Sequence, residues 1–238
     1  VFIPMCALNV VKGMILFMRK LIVFLFVLLL TGCGVKPNIE GEISEIKYND
    51  TYIVSSDYNK IKNMVSNHTY LNGEEELKNS LVIKTDKDIY SFKLSDDFIS
   101  YNGKMTKDSE INKYLQDLTK KYQDRDFYEI NYVKDFEDGD NEIISLDKTS
   151  NYIVINFRKK VTNFKINEIL NDGDDYSDVD LLYSKESVNK DVIIRKSIDY
   201  KEPDIRISFT NEYGFRFSII PRYNDDKLEF VTTVKQEV

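Results

Sequence analysis

The chain has 238 residues, with 33 Lys and Arg against 40 Asp and Glu, and a net charge of −7. This acidic balance argues against a nucleic-acid partner, because phosphate backbones are bound through clusters of Lys and Arg. It also argues against adsorption of the fold onto anionic lipid headgroups, which attract basic segments. The length is sufficient for one large domain or two ordinary ones.

A short apolar run near the beginning of the chain has the layout of a secretory signal. Arg19-Lys20 precede ten apolar residues, Leu21–Leu30, and the small residues Thr31-Gly32 follow. A membrane-spanning helix needs about 20 apolar residues, so this run is too short to cross a bilayer. Met18 begins a complete signal peptide, and residues 1–17 are therefore expected to lie upstream of the true start.

The end of this signal, Leu30-Thr31-Gly32-Cys33, resembles the lipobox of bacterial lipoprotein precursors. The resemblance implies that Leu30, Thr31 and Gly32 are recognised by the signal peptidase, which cleaves just before Cys33. It also implies that the Cys33 thiol carries a diacylglyceryl group. The expected location is the extracytoplasmic face of the cell membrane, with the lipid on Cys33 as the membrane contact.

Cleavage would change the composition of the mature chain. Residues 1–32 carry three basic residues and no acidic one, so the mature charge becomes −10. Cys33 would be the one remaining cysteine and would carry lipid, so the fold must rely on its core without a disulfide. Residues 34–41 contain Pro37 between two glycines and are expected to form a short tether of no more than roughly 26 Å.

The first domain is expected over residues 42–123, as an antiparallel sheet with two helices. Apolar spacing between Ile61 and His68 predicts a short helix. Asn102-Gly103, between two strand patterns, predicts a hairpin, because both residues tolerate a positive φ. Apolar residues recur at helical spacing over Ile111–Tyr122 and predict an amphipathic helix, with residues 106–109 supplying its N-terminal cap.

Three segments in this region carry a resemblance to a known family: Ser80–Lys84, Ile89–Leu94 and Tyr101–Gly103. With the closing amphipathic helix, they resemble the small YhfM-like domain of firmicute lipoproteins and membrane-anchored proteins. The resemblance covers residues 42–123. It implies an extracytoplasmic compartment and an α+β fold, and it implies no chemistry.

The second domain, residues 124–238, is expected to be rich in β-strands. Turn residues separate short apolar or alternating runs, which is typical of a sandwich or a curled meander. The predicted strands are Phe127–Val133, Glu142–Leu146, Tyr152–Arg158, Phe164–Ile169, Val179–Tyr183, Val192–Lys196, Ile205–Phe209, Phe215–Ile220 and Leu228–Val234. The fold class is therefore α+β, with a β-rich second domain of sandwich or meander type.

His68 is the only histidine of the chain, and it does not indicate an active site. Zinc ligation needs further His or free Cys residues, which the mature chain lacks. A Ser-His-Asp triad would use His68 as its base, but no G-x-S-x-G motif is present. We expect His68 to lie at the C-terminal end of the short helix, where a cationic side chain is favourable.

Two acidic runs, Asp135–Glu142 and Asp172–Asp180, hold five carboxylates each. Calcium takes six to eight oxygen ligands, so such runs could bind it. Neither run matches the glycine-containing loop of an EF-hand, and carboxylates are common at solvated hairpin tips. Hairpin tips are therefore expected, with calcium binding as the alternative, and the sequence predicts neither a metal ligand set nor a cofactor.

These observations favour a non-enzymatic binding or interaction module with a protein or cell-wall partner. The alternatives are a surface hydrolase that uses paired carboxylates and a calcium-binding surface protein. The chain has 16 Tyr and 14 Phe. Exposed tyrosines would favour a binding surface, whereas buried ones would belong to the core.

Substitution of the lipidated cysteine tests the anchor. Cys33→Ala removes the thiol that accepts the diacylglyceryl group, so we expect no incorporation of labelled fatty acid and an uncleaved precursor. Metabolic labelling and the mass of the membrane-fraction protein measure both effects. Full labelling of the variant would show that the lipobox assignment is wrong.

Overall fold

A computed structural model describes residues 34–136, 139–171 and 175–237. The predicted signal peptide, the lipobox residues Leu30 to Cys33 and the upstream segment lie outside these ranges. The chain divides into two compact units. The first contains the described residues up to Asn49 together with Ser55–Lys113, and the second contains Asp50–Val54 and the chain from Tyr114 onward.

The first unit contains an antiparallel sheet. Strand β1 is Ile43–Tyr48, and the two-residue strand β2, Thr51–Tyr52, belongs to the second unit. The following strands are β3 (Asn79–Thr85), β4 (Ile89–Leu94), β5 (Phe98–Tyr101) and β6 (Lys104–Lys107). Within the unit they lie in the order β1-β3-β4-β5-β6. Every second residue of β4 is buried, because side chains alternate between the two faces of a strand.

The hairpin between β5 and β6 has the predicted turn. Asn102 and Gly103 have φ values of 50° and 71°. A two-residue turn with both φ values positive matches the right-handed twist of the strands, and Asn-Gly adopts it readily. The prediction of this hairpin from the sequence is confirmed.

Both predicted helices are present. Helix α1 is Tyr58–Ser66, with Ile61 and Val65 buried. Helix α2 is Ile111–Tyr122. Oδ1 of Asp108 accepts hydrogen bonds from the main-chain N–H groups of Glu110 and Ile111, at 2.7 and 3.0 Å. This carboxylate satisfies donors of the first turn, which lack partners within the helix.

The residues predicted as a tether are held against the first unit. The main-chain N–H of Val35 donates to the carbonyl of Tyr70 at 2.9 Å, and the reciprocal bond is 2.8 Å. The Tyr90 hydroxyl donates to the Asn38 carbonyl at 3.0 Å, and Ile39 is buried. The fold of the first unit therefore begins at Val35, whereas the sequence predicted a free tether up to residue 41.

The second unit is a β-sandwich. Each of the nine predicted segments overlaps one strand. The strands are β7 (Tyr128–Val133), β8 (Glu142–Ser145), β9 (Tyr152–Phe157), β10 (Val161–Asn171), β11 (Tyr176–Val188), β12 (Val192–Arg195), β13 (Ile205–Thr210), β14 (Phe215–Asn224) and β15 (Lys227–Gln236). They form a four-stranded sheet, β7-β9-β12-β8, and a five-stranded sheet, β11-β10-β13-β14-β15. The α+β fold class is confirmed, and of the two predicted arrangements the structure has the sandwich.

Aromatic side chains from both sheets meet in the core of this unit. The Phe209 ring of β13 lies 4.9 Å from the Phe157 ring and 5.1 Å from the Tyr128 ring, both in the opposite sheet. Within its own sheet Phe209 stacks on Phe217 at 5.8 Å. These rings are buried apart from Phe157, which is partly exposed. Edge-to-face and offset arrangements of this kind are the favoured geometries of aromatic pairs.

Removal of the central ring tests the importance of this core. Phe209→Ala is expected to lower the free energy of unfolding by about 3–5 kcal/mol, because it removes buried apolar contacts and leaves a cavity. Urea unfolding followed by circular dichroism measures the change, with Tyr200→Ala, at an exposed position, as the control. Equal midpoints for the two variants would contradict the central role of Phe209.

Candidate functional site

The main candidate site is the long hairpin formed by β10 and β11, which we call the β10–β11 ribbon. Its strands have 11 and 13 residues. Strand β11 lies at the edge of the five-stranded sheet, and β10 separates it from β13. Most of β11 is exposed on both faces, whereas β13 next to β10 is almost entirely buried.

Four apolar side chains are exposed on this ribbon: Leu170, Val179, Leu181 and Leu182. Their exposed fractions range from 41% to 60%. We call them the apolar patch. Single exposed leucines are ordinary in soluble proteins, but several within one short stretch of a hairpin indicate an interaction surface.

Two residues of the apolar patch lie at β-bulges in β11. Ile166 and Asn167 of β10 pair with Tyr183 and Leu181, so Leu182 is an extra residue in β11. A second interruption, between the partners Asp180 and Asp178, makes Val179 extra in the same way. Bulges bend a strand and change the direction of its side chains. Here both extra residues are apolar and exposed.

Arg206 attaches the open end of the ribbon to the sheet. From β13 it reaches across β10, and its guanidinium donates to the carboxylate of Asp178 and to the carbonyl of Tyr176, each at 2.6 Å. A planar guanidinium that makes two such bonds fixes orientation as well as distance. The start of β11 is therefore positioned by a charged side chain as well as by the main-chain ladder.

Glu142 attaches the other half of β11. Its carboxylate accepts hydrogen bonds from the Tyr183 hydroxyl at 2.7 Å and from the Lys185 ammonium at 2.6 Å. The Lys185 bond, followed by the Tyr183 bond, lowers the pKa of Glu142. Burial, followed by the bond to Glu142, raises the pKa of Tyr183 to about 12. At neutral pH the carboxylate is charged and the phenol is neutral, so both bonds are stable.

The two acidic runs lie only partly within the described residues, because residues 137–138 and 172–174 are outside them. Several of their described carboxylates have cationic partners: Asp140 with Lys190 at 2.9 Å, Glu142 with Lys185, and Asp178 with Arg206. Among the described residues, no group of three or more His, Cys, Asp or Glu side chains is placed to hold a metal ion. Calcium binding by the complete runs stays an untested alternative.

His68 lies two residues beyond the end of α1. Its Nε2 is 2.6 Å from Oδ2 of Asp108, the residue whose other oxygen caps α2. The Tyr70 ring meets the imidazole edge-on at 6.4 Å. Burial, followed by the charge of Asp108, raises the pKa of Tyr70. The sequence led us to expect an interaction of His68 with the C-terminal end of α1. The structure shows instead that His68 interacts with Asp108, the N-terminal cap of α2.

A half-open cavity of about 280 Å³ in the second unit bears on the hydrolase alternative. Two aromatic rings and three carboxylates line it, from Phe127, Tyr213, Asp124, Asp126 and Glu212. The Lys159 ammonium binds Glu212 at 2.6 Å, and this hydrogen bond lowers the pKa of the carboxyl group. A general acid needs a raised pKa, so Glu212 is unsuited to that role.

The tyrosines divide between core and surface. Tyr70 and Tyr122 are among the largest fully buried side chains, and Tyr48, Tyr90 and Tyr128 are also buried. On the surface of the second unit, the Tyr200 and Tyr223 rings lie 4.6 Å apart in a tilted arrangement, and more than half of the Tyr200 side chain is exposed. These two rings, with Tyr176, line a shallow cavity of about 300 Å³. Tyrosine is enriched in binding surfaces, so this pair is a secondary candidate site.

Comparison with known proteins gives no match to a family model, a curated protein or a solved structure. Among the described residues, no helix is long and apolar enough to cross a membrane. The site residues predicted from the sequence, Cys33 with Leu30, Thr31 and Gly32, lie outside those residues. The β10–β11 ribbon was not predicted as a site. The one sequence signal for it is the adjacent apolar pair Leu181-Leu182.

Substitution of Glu142 tests the attachment of β11. A lowered folded pKa means that Glu142 stabilises the fold at pH values above its unfolded pKa of about 4.3, and that this contribution is lost as the pH falls through the folded pKa. Glu142→Gln should therefore lower the free energy of unfolding by about 1 kcal/mol at pH 7. The difference from the unsubstituted protein should shrink in acid.

Urea unfolding between pH 3 and pH 7 measures this dependence. Glu186→Gln is the matched control, because Glu186 is an exposed carboxylate of β11, the strand that Glu142 attaches. A difference that is the same at every pH would show that Glu142 acts through packing rather than charge.

Proposed function

We propose that this chain is a lipoprotein of the outer face of the cell membrane and that it acts there as a non-enzymatic binding module. The proposed anchor is a diacylglyceryl group on Cys33, supported by the Arg19-Lys20, Leu21–Leu30 and Leu30-Thr31-Gly32-Cys33 patterns. Acyl chains bury CH₂ groups at about 0.8 kcal/mol each, so two or more chains give a stable anchor.

The observation that carries the binding function is the apolar patch of the β10–β11 ribbon. Exposed apolar surface is unfavourable in water by about 25 cal/mol for each Å² that a partner could cover. The patch lies on a hairpin held by Arg206 and Glu142, so a partner would meet a largely pre-formed surface. Pre-formed surfaces bind with a smaller loss of conformational entropy.

The first unit begins so close to Cys33 that it limits the distance between the fold and the membrane. Val35 already pairs with Tyr70, so Gly34 alone separates the fold from the lipidated residue. At about 3.3–3.6 Å per residue, the first unit would lie at the level of the headgroups. An acidic protein of mature charge −10 gains nothing from anionic lipids there, which supports a partner other than the bilayer itself.

Of the alternatives, the hydrolase has weaker support than the binding module. The cavity with three carboxylates is the site on which such an enzyme would rely, and the Lys159–Glu212 ion pair keeps one of them charged. Retaining and inverting glycosidases both need one carboxyl group that donates a proton. The leucine and valine side chains of the apolar patch, by contrast, supply no acid or base, and their contribution is to binding.

Site-specific photo-crosslinking in living cells tests the proposed function. A photoreactive residue replaces Leu181 or Tyr200, both exposed, or Lys93, an exposed polar position of the first unit that serves as control. We expect discrete adducts at Leu181 or Tyr200 and only background at Lys93. The adducts should disappear when Cys33→Ala removes the anchor.

Two results would contradict the proposal. Diffuse background at all three positions would argue against a binding module. Release of cell-wall fragments by the purified protein, lost in Glu212→Gln, would instead support the hydrolase alternative.

A further inference from the structure

Strand β11 forms a long edge of the five-stranded sheet. It is the terminal strand of its sheet, and among the described residues no strand pairs with its outer side. An edge of this kind offers a row of N–H and C=O groups to any extended chain that approaches it. Peptide recognition by strand addition uses such edges, with main-chain bonds supplying affinity and side-chain contacts supplying specificity.

The edge carries two bulges and one lysine, Lys185, but its outer half, residues 176–182, contains no lysine or proline. Natural proteins protect edge strands with proline, with lysine, or with bulges that turn the edge away. In β11 both bulges carry apolar residues, Val179 and Leu182, and Leu181 between them is also exposed. These apolar side chains would be covered by an added strand, so the bulges of this edge carry residues that favour contact.

The charge of the outer half of the ribbon identifies the kind of partner. Residues 167–171 and 175–182 contain the carboxylates of Glu168, Asp175, Asp178 and Asp180 and no Lys or Arg. Arg206 pairs with Asp178. Glu168 and Asp180 have no cationic partner among the described residues. The surface around the apolar patch is therefore anionic.

This charge disfavours two other occupants. A second copy of the chain, paired through β11, would bring these carboxylates close to their own counterparts, and like charges on paired strands are destabilising. An anionic bilayer would be repelled for the same reason. An extended segment with alternating apolar and basic side chains matches both the apolar patch and the carboxylates.

We propose that β11 binds an extended, basic segment of a partner protein as an additional strand of the five-stranded sheet. The inference rests on the proposed binding function and adds to it the edge that is used and the chemistry of the partner. Lysine or arginine side chains of the added strand would lie near Asp180 and Glu168. Its apolar side chains would cover Leu181 and Leu182.

Hydrogen exchange on the full-length protein in detergent tests this proposal. The probe is a synthetic peptide of about six alternating valine and lysine residues, a typical strand length. We expect slower amide exchange in Tyr176–Val188 when the peptide is added. Strand β15, Lys227–Gln236, is the other edge of the same sheet and should show no change, which makes it an internal control.

Charge variants make the test specific. Asp180→Lys should weaken binding of the valine–lysine peptide about two- to fivefold, the size expected for one charge pair between strands, and should strengthen binding of a valine–glutamate peptide. Leu181→Asp should weaken binding of the valine–lysine peptide. Asp97→Lys, an exposed acid of the first unit, is the matched control and should bind as the unsubstituted protein does. Unchanged thermal midpoints would confirm that the variants fold.

Several outcomes would overturn the inference. They are unchanged exchange in β11, equal slowing at β15, and equal binding of the lysine and glutamate peptides. Concentration-dependent self-association that Leu181→Asp abolishes would identify a second copy as the occupant. Photo-crosslinks at Tyr200 together with unchanged exchange in β11 would leave the binding module in place and remove only the role of this edge.

Discussion

Packing of the Phe209 ring against the opposite sheet holds the second unit together and also leaves the ribbon uncovered. Phe209 meets Phe157 and Tyr128 across the sandwich. The strands of that opposite sheet have four to six residues, whereas β11 has 13. At about 3.3 Å per residue, this is at most about 20 Å against about 43 Å. The small sheet covers the aromatic core and is too short to cover the ribbon as well. The outer half of the ribbon is therefore exposed on both faces.

Much of the fold could be predicted because it follows from local patterns. Every second residue of β4 is apolar, and the structure buries that face. The Asn102-Gly103 turn fixes its hairpin through two positive φ values. Strand ends were predicted less well: Val179–Tyr183 extends in the structure to Tyr176–Val188. A strand exposed on both faces has no alternation of burial, so its sequence gives little indication of where it begins or ends.

The candidate site could be predicted much less well, because it depends on the order of strands in space. Leu181-Leu182 is visible in the sequence as an apolar pair, but the sequence does not show that β11 lies at an edge. The bulge that makes Leu182 exposed arises from its pairing with β10. The contact of His68 with Asp108 joins residues 40 positions apart, and helical spacing alone carries no information about it. The pattern that predicts lipidation of Cys33 is local, which is why a prediction could be made there from the sequence alone.

The charges of the ribbon give the exposed edge a selectivity that its main chain lacks. Unpaired N–H and C=O groups of a strand accept almost any extended chain, including another copy of the same protein. Carboxylates such as Asp180 and Glu168 penalise acidic strands and favour basic ones. At physiological ionic strength the Debye length is about 8 Å, so this preference acts only near contact. Affinity must therefore come mainly from the main-chain ladder and from burial of Leu181 and Leu182, while the carboxylates determine which partners are accepted.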